Sequence, residues 1–574
     1  MKLYKFITTV LVLTLCANMA YGESPDKVTA FRFRADFTED LDEDAGWAAD
    51  VNVAPVQTVD TPFRVRFETE TDGSENMRQY SLQYRINGSN WIYMEAEEFP
   101  YESTNSPIAS IVSCENIFVG EEAEDLLNVS KFTSTPGAGI ALSPVTPRWM
   151  PHGNGKESAE WEWAVVIRHW SDGPTQVKDG DRISFRMTDQ YGEPLAGLVP
   201  EFTVMVPEYH LGGTFVETPA RIGPWETADG LLYFIMEPTE TDNVFMMVKS
   251  SDGGKTWTEV DGNNRPSIGD LEGVGSVMTD DGIIHIVHQT SDEVIHHAFA
   301  TSDNTDTPDH WIIDSDTISL PIEPPTQVAD VVARPDGSLV AIFGADDKLH
   351  LSIRSTEGIW GKEFPLDIDK PYWLTSPALV ARPNGTVDIA YKTVYGHGWH
   401  RQLLIDNTLT EPVQIAEEIG LTEDESMSIL PLIYLHEINT LVVVYRDMDG
   451  YLYMISKPDN GEWSKPLQVS DRVVVTNPVD SDQVAADAVA HDNRVFVTFI
   501  SEENRNIYLS TVQINEGLAV EAPQIKRIVA DIDGSWVRGQ VLLNQSLTPV
   551  YGLVYDAGSL GGSGFNKYIE IPLN

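Results

Sequence analysis

The chain has 574 residues, of which 42% are apolar and 22% charged, a composition typical of a soluble globular protein with large cores. It carries 88 acidic and 38 basic residues, which gives a formal net charge of −50. This excess of negative charge argues against a nucleic-acid partner, because binding to a phosphate backbone requires basic surface.

Residues 1–22 have the pattern of a secretory signal peptide. Two lysines precede an apolar stretch from Phe6 to about Ala20, and Ala20-Tyr21-Gly22 supplies the small residues of a cleavage site. The stretch is too short for a transmembrane helix, and no later segment approaches about 18 consecutive apolar residues. The sequence therefore predicts a secreted or periplasmic protein without a membrane span.

Residues 27–207 show the alternation of apolar and polar residues that is typical of β-strands. The clearest examples are Phe63–Phe67, Tyr80–Arg85 and Trp161–Ile167. The second of these runs into Asn87-Gly88, a dipeptide typical of a tight hairpin turn. No helical periodicity of useful length occurs. We therefore predict an antiparallel β-sandwich, which would serve as an accessory domain.

Residues 210–574 repeat with a period near 50, each unit consisting of four short strands. The clearest internal match is Val332-Ala333-Arg334-Pro335-Asp336-Gly337 against Val380-Ala381-Arg382-Pro383-Asn384-Gly385. Four-strand repeats of this length are typical of β-propeller blades. Roughly 365 residues divided by this period predict seven blades, with six or eight left open. The whole chain is thus predicted to be all-β, a sandwich followed by a propeller that carries the catalytic site.

One motif links this half of the chain to a family. Ser250-Ser251-Asp252-Gly253-Gly254-Lys255-Thr256-Trp257 fits the pattern Ser-x-Asp-x-Gly-x-Thr-Trp of the Asp box. The repeat half therefore resembles the sialidase-like Asp-box (BNR-repeat) propellers, a superfamily that includes β-propeller polysaccharide lyases. The resemblance implies that Ser250 and Asp252 tie a hairpin turn with hydrogen bonds and that Trp257 packs between sheets. It implies a structural role for these residues and not a catalytic one.

In such propellers the ligand face carries the loops between second and third strands and the segments that enter each blade. The candidate site residues in these positions are Arg221, Glu237, His288, Lys392, Tyr395, His400, Tyr445, Arg446, Gln483, Arg538 and Tyr555. Four of them are cations in a strongly acidic chain. Because arginine binds a carboxylate through paired hydrogen bonds, their convergence would form a local pocket for an anion.

The favoured interpretation is a polysaccharide lyase that cleaves a uronic-acid polymer by β-elimination. This reaction requires a cation to neutralise the carboxylate, a base to remove the adjacent proton and an acid for the leaving oxygen. We assign neutralisation to Arg446 or Lys392, the base to His288, and the acid to Tyr395 or Tyr445. The predicted substrate contacts are Arg221, Glu237, Lys392, His400, Gln483, Arg538 and Tyr555.

Two alternatives stay open. Ala220-Arg221-Ile222-Gly223-Pro224 is similar to the Arg-Ile-Pro entry of sialidases, with an extra glycine. That resemblance implies an exo-glycosidase in which Arg221, Arg446 and Arg538 clamp a substrate carboxylate and Tyr555 is the nucleophile. The other alternative is a glycan-binding propeller without catalysis, for which the loops would be expected to repeat the same ligand residues in every blade.

No cofactor is required by either enzyme scheme. His285, His288, His397 and His400 offer imidazoles that could bind Zn²⁺, and the aspartate-rich loops could bind a structural Ca²⁺. The expected partner is an anionic polysaccharide or oligosaccharide.

Overall fold

The computed structural model describes residues 24–573 except 35–38, 97–107, 115, 118, 154, 172–175, 214–219, 239–243, 269–272, 291, 305, 307, 320–328, 346–347, 367–376, 394, 421–427, 477–483, 520, 531, 533, 535, 544–546 and 559–565. The predicted signal peptide at residues 1–22 and the predicted substrate contact Gln483 lie outside the described residues. Among the described residues, no helix is long and apolar enough to cross a membrane.

The N-terminal half is the predicted β-sandwich. Its strands are β1 (Lys27–Arg34), β2 (Val56–Thr58), β3 (Phe63–Thr71), β4 (Ser81–Ile86), β5 (Ile92–Tyr93), β6 (Glu95–Ala96), β7 (Ala109–Ile111), β8 (Glu122–Ala123), β9 (Thr133–Ser134), β10 (Gly137–Ile140), β11 (Glu157–Ile167), β12 (Arg182–Thr188), β13 (Ala196–Gly197) and β14 (Glu201–Met205). A nine-stranded sheet built around β1, β3 and β11 faces a five-stranded sheet with the order β2-β14-β12-β4-β5. Apolar side chains of both sheets, including Phe63, Trp163 and Phe185, form the core between them.

The second half is the predicted β-propeller, in which seven successive antiparallel sheets are described. Sheet 1 contains β15 (Trp225–Glu226), β16 (Leu232–Met236), β17 (Met246–Ser250) and β18 (Thr258–Glu259); sheet 2 contains β19 (Gly273–Met278), β20 (Ile283–Gln289), β21 (Val294–Ala300) and β22 (His310–Ser319). Sheet 3 contains β23 (Asp330–Ala333), β24 (Leu339–Ala345), β25 (Lys348–Arg354) and β26 (Phe364–Pro365); sheet 4 contains β27 (Ala378–Ala381), β28 (Val387–Lys392), β29 (Gly398–Leu403) and β30 (Val413–Ala416).

Sheet 5 contains β31 (Ile433–Leu435), β32 (Thr440–Arg446), β33 (Leu452–Pro458) and β34 (Leu467–Gln468), with a short 3-10 turn at His436–Ile438. Sheet 6 contains β35 (Ala486–His491), β36 (Arg494–Ile500), β37 (Ile507–Asn515), β38 (Leu518–Ala519) and β39 (Gln524–Val529); sheet 7 contains β40 (Val537–Leu543), β41 (Pro549–Asp556) and β42 (Asn566–Pro572). In each sheet the strands pair in sequence order, as the repeat predicts, and in sheet 6 β39 joins beside β37.

The ring is closed by the segment that precedes sheet 1. The N–H of Leu211 donates to the carbonyl of Asn566 at 2.9 Å, and the N–H of Tyr568 donates to the carbonyl of Tyr209 at 3.0 Å. Residues 209–212 thus lie beside β42 and supply the outer edge that sheet 7 otherwise lacks. Because chain segments from both ends of the repeat share one sheet, this edge of β42 is covered at the junction.

The segment Ser250–Trp257 forms the tied hairpin turn that the resemblance implies. The Ser250 hydroxyl donates to Asp252 Oδ1 at 2.8 Å, and Asp252 Oδ2 accepts the Thr256 hydroxyl at 2.6 Å. Gly254 has φ +80°, and a Cβ at this position would lie 2.1 Å from the ring of Tyr568. Glycine is therefore required at Gly254 both by the backbone conformation and by the close packing of the next sheet.

Each of three tryptophans that precede a fourth strand packs against an aromatic ring of a neighbouring sheet. Trp257 contacts Tyr568 with ring centroids 5.7 Å apart. The equivalent pairs in later repeats are Trp360 with His296 at 5.4 Å and Trp463 with His400 at 5.3 Å. These contacts join neighbouring sheets by edge-to-face aromatic packing.

In two repeats, the arginine that follows the first strand joins one sheet to the next. Arg334 donates to the side-chain oxygen of Asn407 at 2.9 Å, in the turn that follows β29. Arg382 makes the same connection one sheet later, to Asp459 Oδ1 at 2.5 Å. Arg382 also donates two hydrogen bonds to Asp388, whose side chain is fully buried. The Arg-Pro-Asp/Asn-Gly repeat therefore supplies both a turn and the arginine contact between neighbouring blades.

Replacement of Arg382 by Gln should lower the stability of the propeller. Asp388 would keep its hydrogen bonds from His400 Nε2 at 2.8 Å and Gln402 Nε2 at 2.9 Å but would lose its arginine. We expect a loss of about 2 kcal/mol, seen by calorimetry as a decrease of a few degrees in the propeller transition. Arg472→Gln is the matched control, because its partner Asp471 is largely exposed. Equal transition temperatures in the two variants would show that the interblade contact of Arg382 does not stabilise the propeller.

Candidate functional site

The first strands of the seven sheets surround a central channel. Contacts join β19 to β23, β23 to β27, β27 to β31, β31 to β35 and β35 to β40, and β40 in turn contacts β15. Between sheets 1 and 2, the N–H of Ala220 donates to the carbonyl of Val274 at 2.7 Å, which completes the circle. The channel is therefore a place where side chains from non-neighbouring sheets can meet.

Arg221 crosses this channel close to the point where the chain enters the first strands. Its guanidinium donates to Asp330 Oδ1 of sheet 3 at 3.3 Å and to the carbonyl of Leu379 in sheet 4 at 2.8 Å. The Arg221 side chain is 13% exposed, whereas that of Asp330 is fully buried. Burial raises the pKa of Asp330, an effect that the charge of Arg221 opposes.

A second arginine–aspartate arrangement lies on the other side of the channel. Arg538 donates to the carbonyl of Ala486 at 3.0 Å, and Asp487 Oδ2 accepts the N–H of Gly539 at 2.7 Å. Tyr551 donates its hydroxyl to the same oxygen at 3.1 Å. Burial raises the pKa of Asp487 to about 6, although the positive charge of Arg538 lowers it.

A cavity of about 260 Å³ extends along the channel between these groups. Its polar lining consists of Arg221, Tyr434, His436, Asp487, Arg538 and Gln540. The guanidinium of Arg221, which is 13% exposed, offers donors, and the amide of Gln540 offers both donors and an acceptor, whereas the side chains of Asp487 and Arg538 are almost fully buried. The rest of the lining is backbone and apolar side chains, among them Ala220, Gly223, Ala488 and Gly539. The arrangement suits a small ligand whose hydroxyl groups both donate and accept hydrogen bonds.

Two of the four predicted cations line this cavity, and the other two lie elsewhere. Arg221 and Arg538 face the channel. Lys392 is buried and donates from Nζ to the Ser428 hydroxyl at 2.8 Å, whereas Nε of Arg446 donates to the carbonyl of Val474 at 3.3 Å. The side chains of Lys392 and Arg446 are therefore bonded to protein groups in two different segments, before sheet 5 and before sheet 6.

The structure does not place His288 where it could act as a base on a polymer. Its side chain is fully buried, with the rings of His297 and Phe245 at 4.9 Å and 5.3 Å. Burial, reinforced by His297, lowers the pKa of His288 to about 3. The physical reason is that the side chains of a second strand lie between two stacked sheets, so they point at the neighbouring blades and away from the loops.

The two tyrosines proposed as acids lie in different environments. Tyr445 is buried and stacks on Tyr453 at 6.1 Å, and burial raises its pKa to about 12. Tyr395 is 63% exposed and lies beside His397. Among the described residues, the groups assigned to β-elimination are thus distributed over sheets 2, 4 and 5 and do not converge on one accessible position.

The remaining predicted contacts are packed inside the protein. Glu237 is buried at the end of β16, and Tyr555 is buried in the core between sheets 6 and 7, where burial raises its pKa. His400 donates to Asp388 and packs on Trp463, so it occupies the position that Tyr568 has in another repeat. We correct our assignment of His400 from a ligand contact to an interblade packing residue.

Asp330, Asp487 and Gln540 are site residues that the sequence analysis missed. Both aspartates lie at the start of an otherwise apolar first strand, in Asp330-Val331-Val332 and in Ala486-Asp487-Ala488-Val489. An aspartate at this position in two blades could have indicated these residues in the sequence, because first strands line the channel.

The predicted zinc ligands do not form a common site. His285 Nδ1 lies 3.0 Å from His296 Nε2, and His288 Nδ1 lies 3.2 Å from His297 Nε2, on opposite faces of sheet 2. Neither pair includes His397 or His400.

A possible cation site lies instead on the sandwich. In the part of the chain that the structure describes, the carboxylates of Glu68, Asp125 and Glu160 have oxygens within 4.8 Å of one another, as a cation site would require. The Glu68 and Glu160 carboxylates accept backbone N–H groups of residues 126–130. These hydrogen bonds already give the two carboxylates a structural role in holding that loop.

Comparison with known proteins identifies no family. No protein-family model and no curated protein matches the chain. Among solved structures, a lectin from Burkholderia pseudomallei matches 62% of this chain and 96% of its own length, with 11% identity and a TM-score of 0.46. A lectin from Aleuria aurantia, described as a six-bladed β-propeller with a fucose recognition mode, matches 56% of this chain and 98% of its own, with 12% identity and a TM-score of 0.35. A protein from Lactobacillus plantarum matches 63% of this chain and 100% of its own, with 10% identity and a TM-score of 0.37. At this level of similarity the neighbours identify neither a ligand nor an activity for the chain.

Proposed function

We propose that this protein binds a carbohydrate and that one sugar residue enters the central channel. The observation that carries the proposal is the composition of the cavity wall, where the guanidinium of Arg221 and the amide of Gln540 place donors and an acceptor around one space. A sugar ring carries several hydroxyl groups, each of which can donate one hydrogen bond and accept others. A wall with both kinds of group can satisfy such a ligand.

The size of the cavity restricts how much of a glycan can enter. Sites for drug-sized ligands occupy about 300–1,000 Å³. The cavity is slightly smaller, at about 260 Å³, a volume that suits a single sugar residue. A terminal residue is the natural candidate, because the rest of the glycan would then extend out of the channel.

The local charge favours a neutral or singly charged sugar over a polyanion. Arg221 lies 3.3 Å from Asp330, and the charge of Arg538 is opposed by Asp487. The two arginines and two aspartates together are neutral when both carboxyl groups are ionised. Below a pH of about 6, protonation of Asp487 would leave excess positive charge in the channel, so an acidic sugar should bind more tightly there.

Binding to a panel of neutral and acidic saccharides tests the proposal. We expect measurable affinity by calorimetry for at least one saccharide and a loss of about tenfold or more in Gln540→Leu, because a sugar hydroxyl would lose its partner. Gln540→Leu leaves no charge unpaired and keeps the side-chain volume. Arg472→Met, which removes a cation outside the channel, is the control. Equal affinities of Gln540→Leu and the control would place the binding site elsewhere.

A glycoside hydrolase is the second candidate, favoured by the raised pKa of Asp487. A carboxyl group that titrates at about 6 and lies in the wall of a cavity can act as a general acid at neutral pH. Release of reducing ends that disappears in Asp487→Asn would support this candidate. Ultraviolet absorbance of an unsaturated product would instead support the lyase, and binding without either signal would leave a glycan-binding protein.

A further inference from the structure

A second surface with features of a binding site lies on the sandwich, on the outward face of the five-stranded sheet. The register of β12 with β4 and β14 places one set of side chains on this face. The outward side chains are Gln83, Arg85, Arg182, Ser184, Arg186 and Glu201. Tyr93 of β5 pairs with Gln83 and therefore joins the same face.

Two of the arginines are held in place by one tryptophan. The guanidinium carbons of Arg85 and Arg186 lie 4.6 Å and 4.3 Å from the centre of the Trp91 ring. Nε of Arg186 donates to Gln83 at 2.8 Å, and Nε of Arg85 donates to the Ser184 hydroxyl at 3.4 Å. Trp91 thus supports the planar groups, while the neighbouring strands anchor their inner ends.

This arrangement leaves the outer ends of the two guanidinium groups available. No residue in the described part of the chain accepts a hydrogen bond from the terminal nitrogens of Arg85 or Arg186. Burial lowers the pKa of Arg186, and the nearby charge of Arg85 acts in the same direction. Two adjacent cations that repel each other would be stabilised by an anion between them.

An exposed aromatic ring lies on the same face as these cations, because Tyr93 pairs with Gln83 and is 47% exposed. Tyr191 is 71% exposed, and the turn that carries it approaches Tyr93, since a Cβ on Gly192 would lie 2.8 Å from the Tyr93 hydroxyl. A flat apolar ring at the surface can stack on the C–H face of a sugar, and contiguous exposed apolar surface commonly marks a binding site.

The charge of this face is opposite to that of the protein. The outward positions of β4, β12 and β14 carry three arginines and one glutamate, and Glu201 lies 3.5 Å from Arg182. The chain as a whole has a formal charge of −50. A locally cationic sheet face in such a protein provides charge complementarity for an anionic ligand.

We propose that this face binds an acidic polysaccharide, with uronate carboxylates on Arg85 and Arg186 and sugar rings on Tyr93 and Tyr191. The site is separate from the central channel and does not depend on its function. An extended polymer can follow the exposed sheet face, on which Arg85, Arg186 and Tyr93 share one side. An acidic peptide would use the arginines without the tyrosine rings, and this difference distinguishes the two ligands.

Affinity electrophoresis of the full-length protein in gels containing polygalacturonate tests the proposal. The variant Arg85→Gln/Arg186→Gln should bind at least tenfold more weakly than the wild type. Tyr93→Ala should also bind several-fold more weakly, whereas Arg182→Gln, which removes an exposed arginine of the same face, should change affinity less than twofold. Arg472→Gln, which removes a cation that lies outside both the channel and this face, should bind polygalacturonate as the wild type does. Loss of binding in Arg85→Gln/Arg186→Gln therefore tests this face whether or not the channel binds a sugar.

Two outcomes would overturn the proposal. One is equal retardation of the wild type and Arg85→Gln/Arg186→Gln in polygalacturonate. The other is retardation by polyglutamate that equals that by polygalacturonate and is unchanged in Tyr93→Ala, which would assign the face to acidic peptides. Circular dichroism of each variant checks that the sandwich is folded, and Arg182→Gln shows the effect of removing one positive charge from this face.

Discussion

Replacement of Glu162 by Gln should destabilise the sandwich more than any other single change considered for this protein. Glu162 is fully buried on β11 and pairs with three arginines that are also fully buried. Its contacts are to Arg34 at 2.9 Å, Arg64 at 3.2 Å and Arg66 at 2.5 Å. Removal of its charge would leave Arg34 and Arg64 without this carboxylate in the interior. The expected cost is about 3–5 kcal/mol, because an uncompensated buried charge is strongly unfavourable.

Calorimetry and limited proteolysis would measure this effect. We expect the sandwich transition of Glu162→Gln to move to a lower temperature by many degrees, or to disappear, while the propeller transition changes little. Glu201→Gln is the control, because its ion pair with Arg182 is exposed and should contribute less than about 1 kcal/mol. A transition of Glu162→Gln equal to that of the control would contradict the buried arginine cluster.

The second large effect is a loss of stability in acid that originates in sheet 2. Burial lowers the pKa of His285 to about 4, His288 to about 3, His296 to about 2 and His297 to about 4. An unfolded histidine titrates near 6.5. Below this pH the unfolded chain binds protons that the folded chain does not bind, so the stability that the neutral rings provide is present above pH 6.5 and is lost as the pH falls.

Removal of one histidine pair isolates this contribution. Each proton taken up on unfolding changes the free energy of unfolding by about 1.4 kcal/mol per pH unit. Acidification between about pH 6 and pH 4.5 lowers the free energy of unfolding of the wild type through both histidines. In His288→Leu/His297→Leu this decrease should therefore be smaller by about 3 kcal/mol per pH unit. Burial raises the pKa values of Glu160 and Asp487 to about 7 and about 6, so their contribution to stability increases in acid and opposes that of the histidines. This contribution is the same in the variant and the wild type, so it cancels in the comparison.

Thermal unfolding as a function of pH provides the measurement. The melting temperature of the wild type should fall more steeply in acid than that of His288→Leu/His297→Leu. His310→Gln, a change at an exposed histidine, should follow the wild type. Parallel curves for all three proteins would show that the buried pairs do not titrate in this way.

The parts of the fold that the sequence predicts correctly depend on local and periodic signals. The Asn87-Gly88 turn follows β4 as expected, with φ values of 47° and 74° that glycine and asparagine adopt readily. The four-strand repeat predicts successive sheets, and the tied turn at Ser250–Trp257 depends on residues within one hairpin. These features involve neighbours in the chain, so a single sequence contains their signal.

The charged face of β3 is an example of burial that the local sequence pattern does not predict. Alternation in Phe63–Phe67 places Arg64 and Arg66 on the face opposite Phe63 and Val65, and both arginines are fully buried there. The reason is that a loop covers this face, with the carbonyls of Glu39 and Leu41 accepting from the two guanidinium groups. Alternation distinguishes the two faces of a strand but does not show whether another segment covers the polar face.

The candidate site was predicted only in part for a related reason. Arg221 and Arg538 were identified because they precede or begin first strands, which line the channel. His288 was predicted to be the base and His400 a substrate contact from their places near the loops between second and third strands, whereas both rings pack between sheets. A histidine in a propeller strand can take the place that Tyr568 has in another repeat, and only the three-dimensional arrangement of blades reveals this equivalence.

A crystal structure of the protein with a saccharide selected from the binding panel tests the central proposal most directly. The proposal predicts one sugar ring within the central channel, with hydroxyl oxygens at hydrogen-bond distance from the side chains of Gln540 and Arg221. A saccharide bound between blades or on the outer wall of the propeller, with the channel free of sugar, would contradict it.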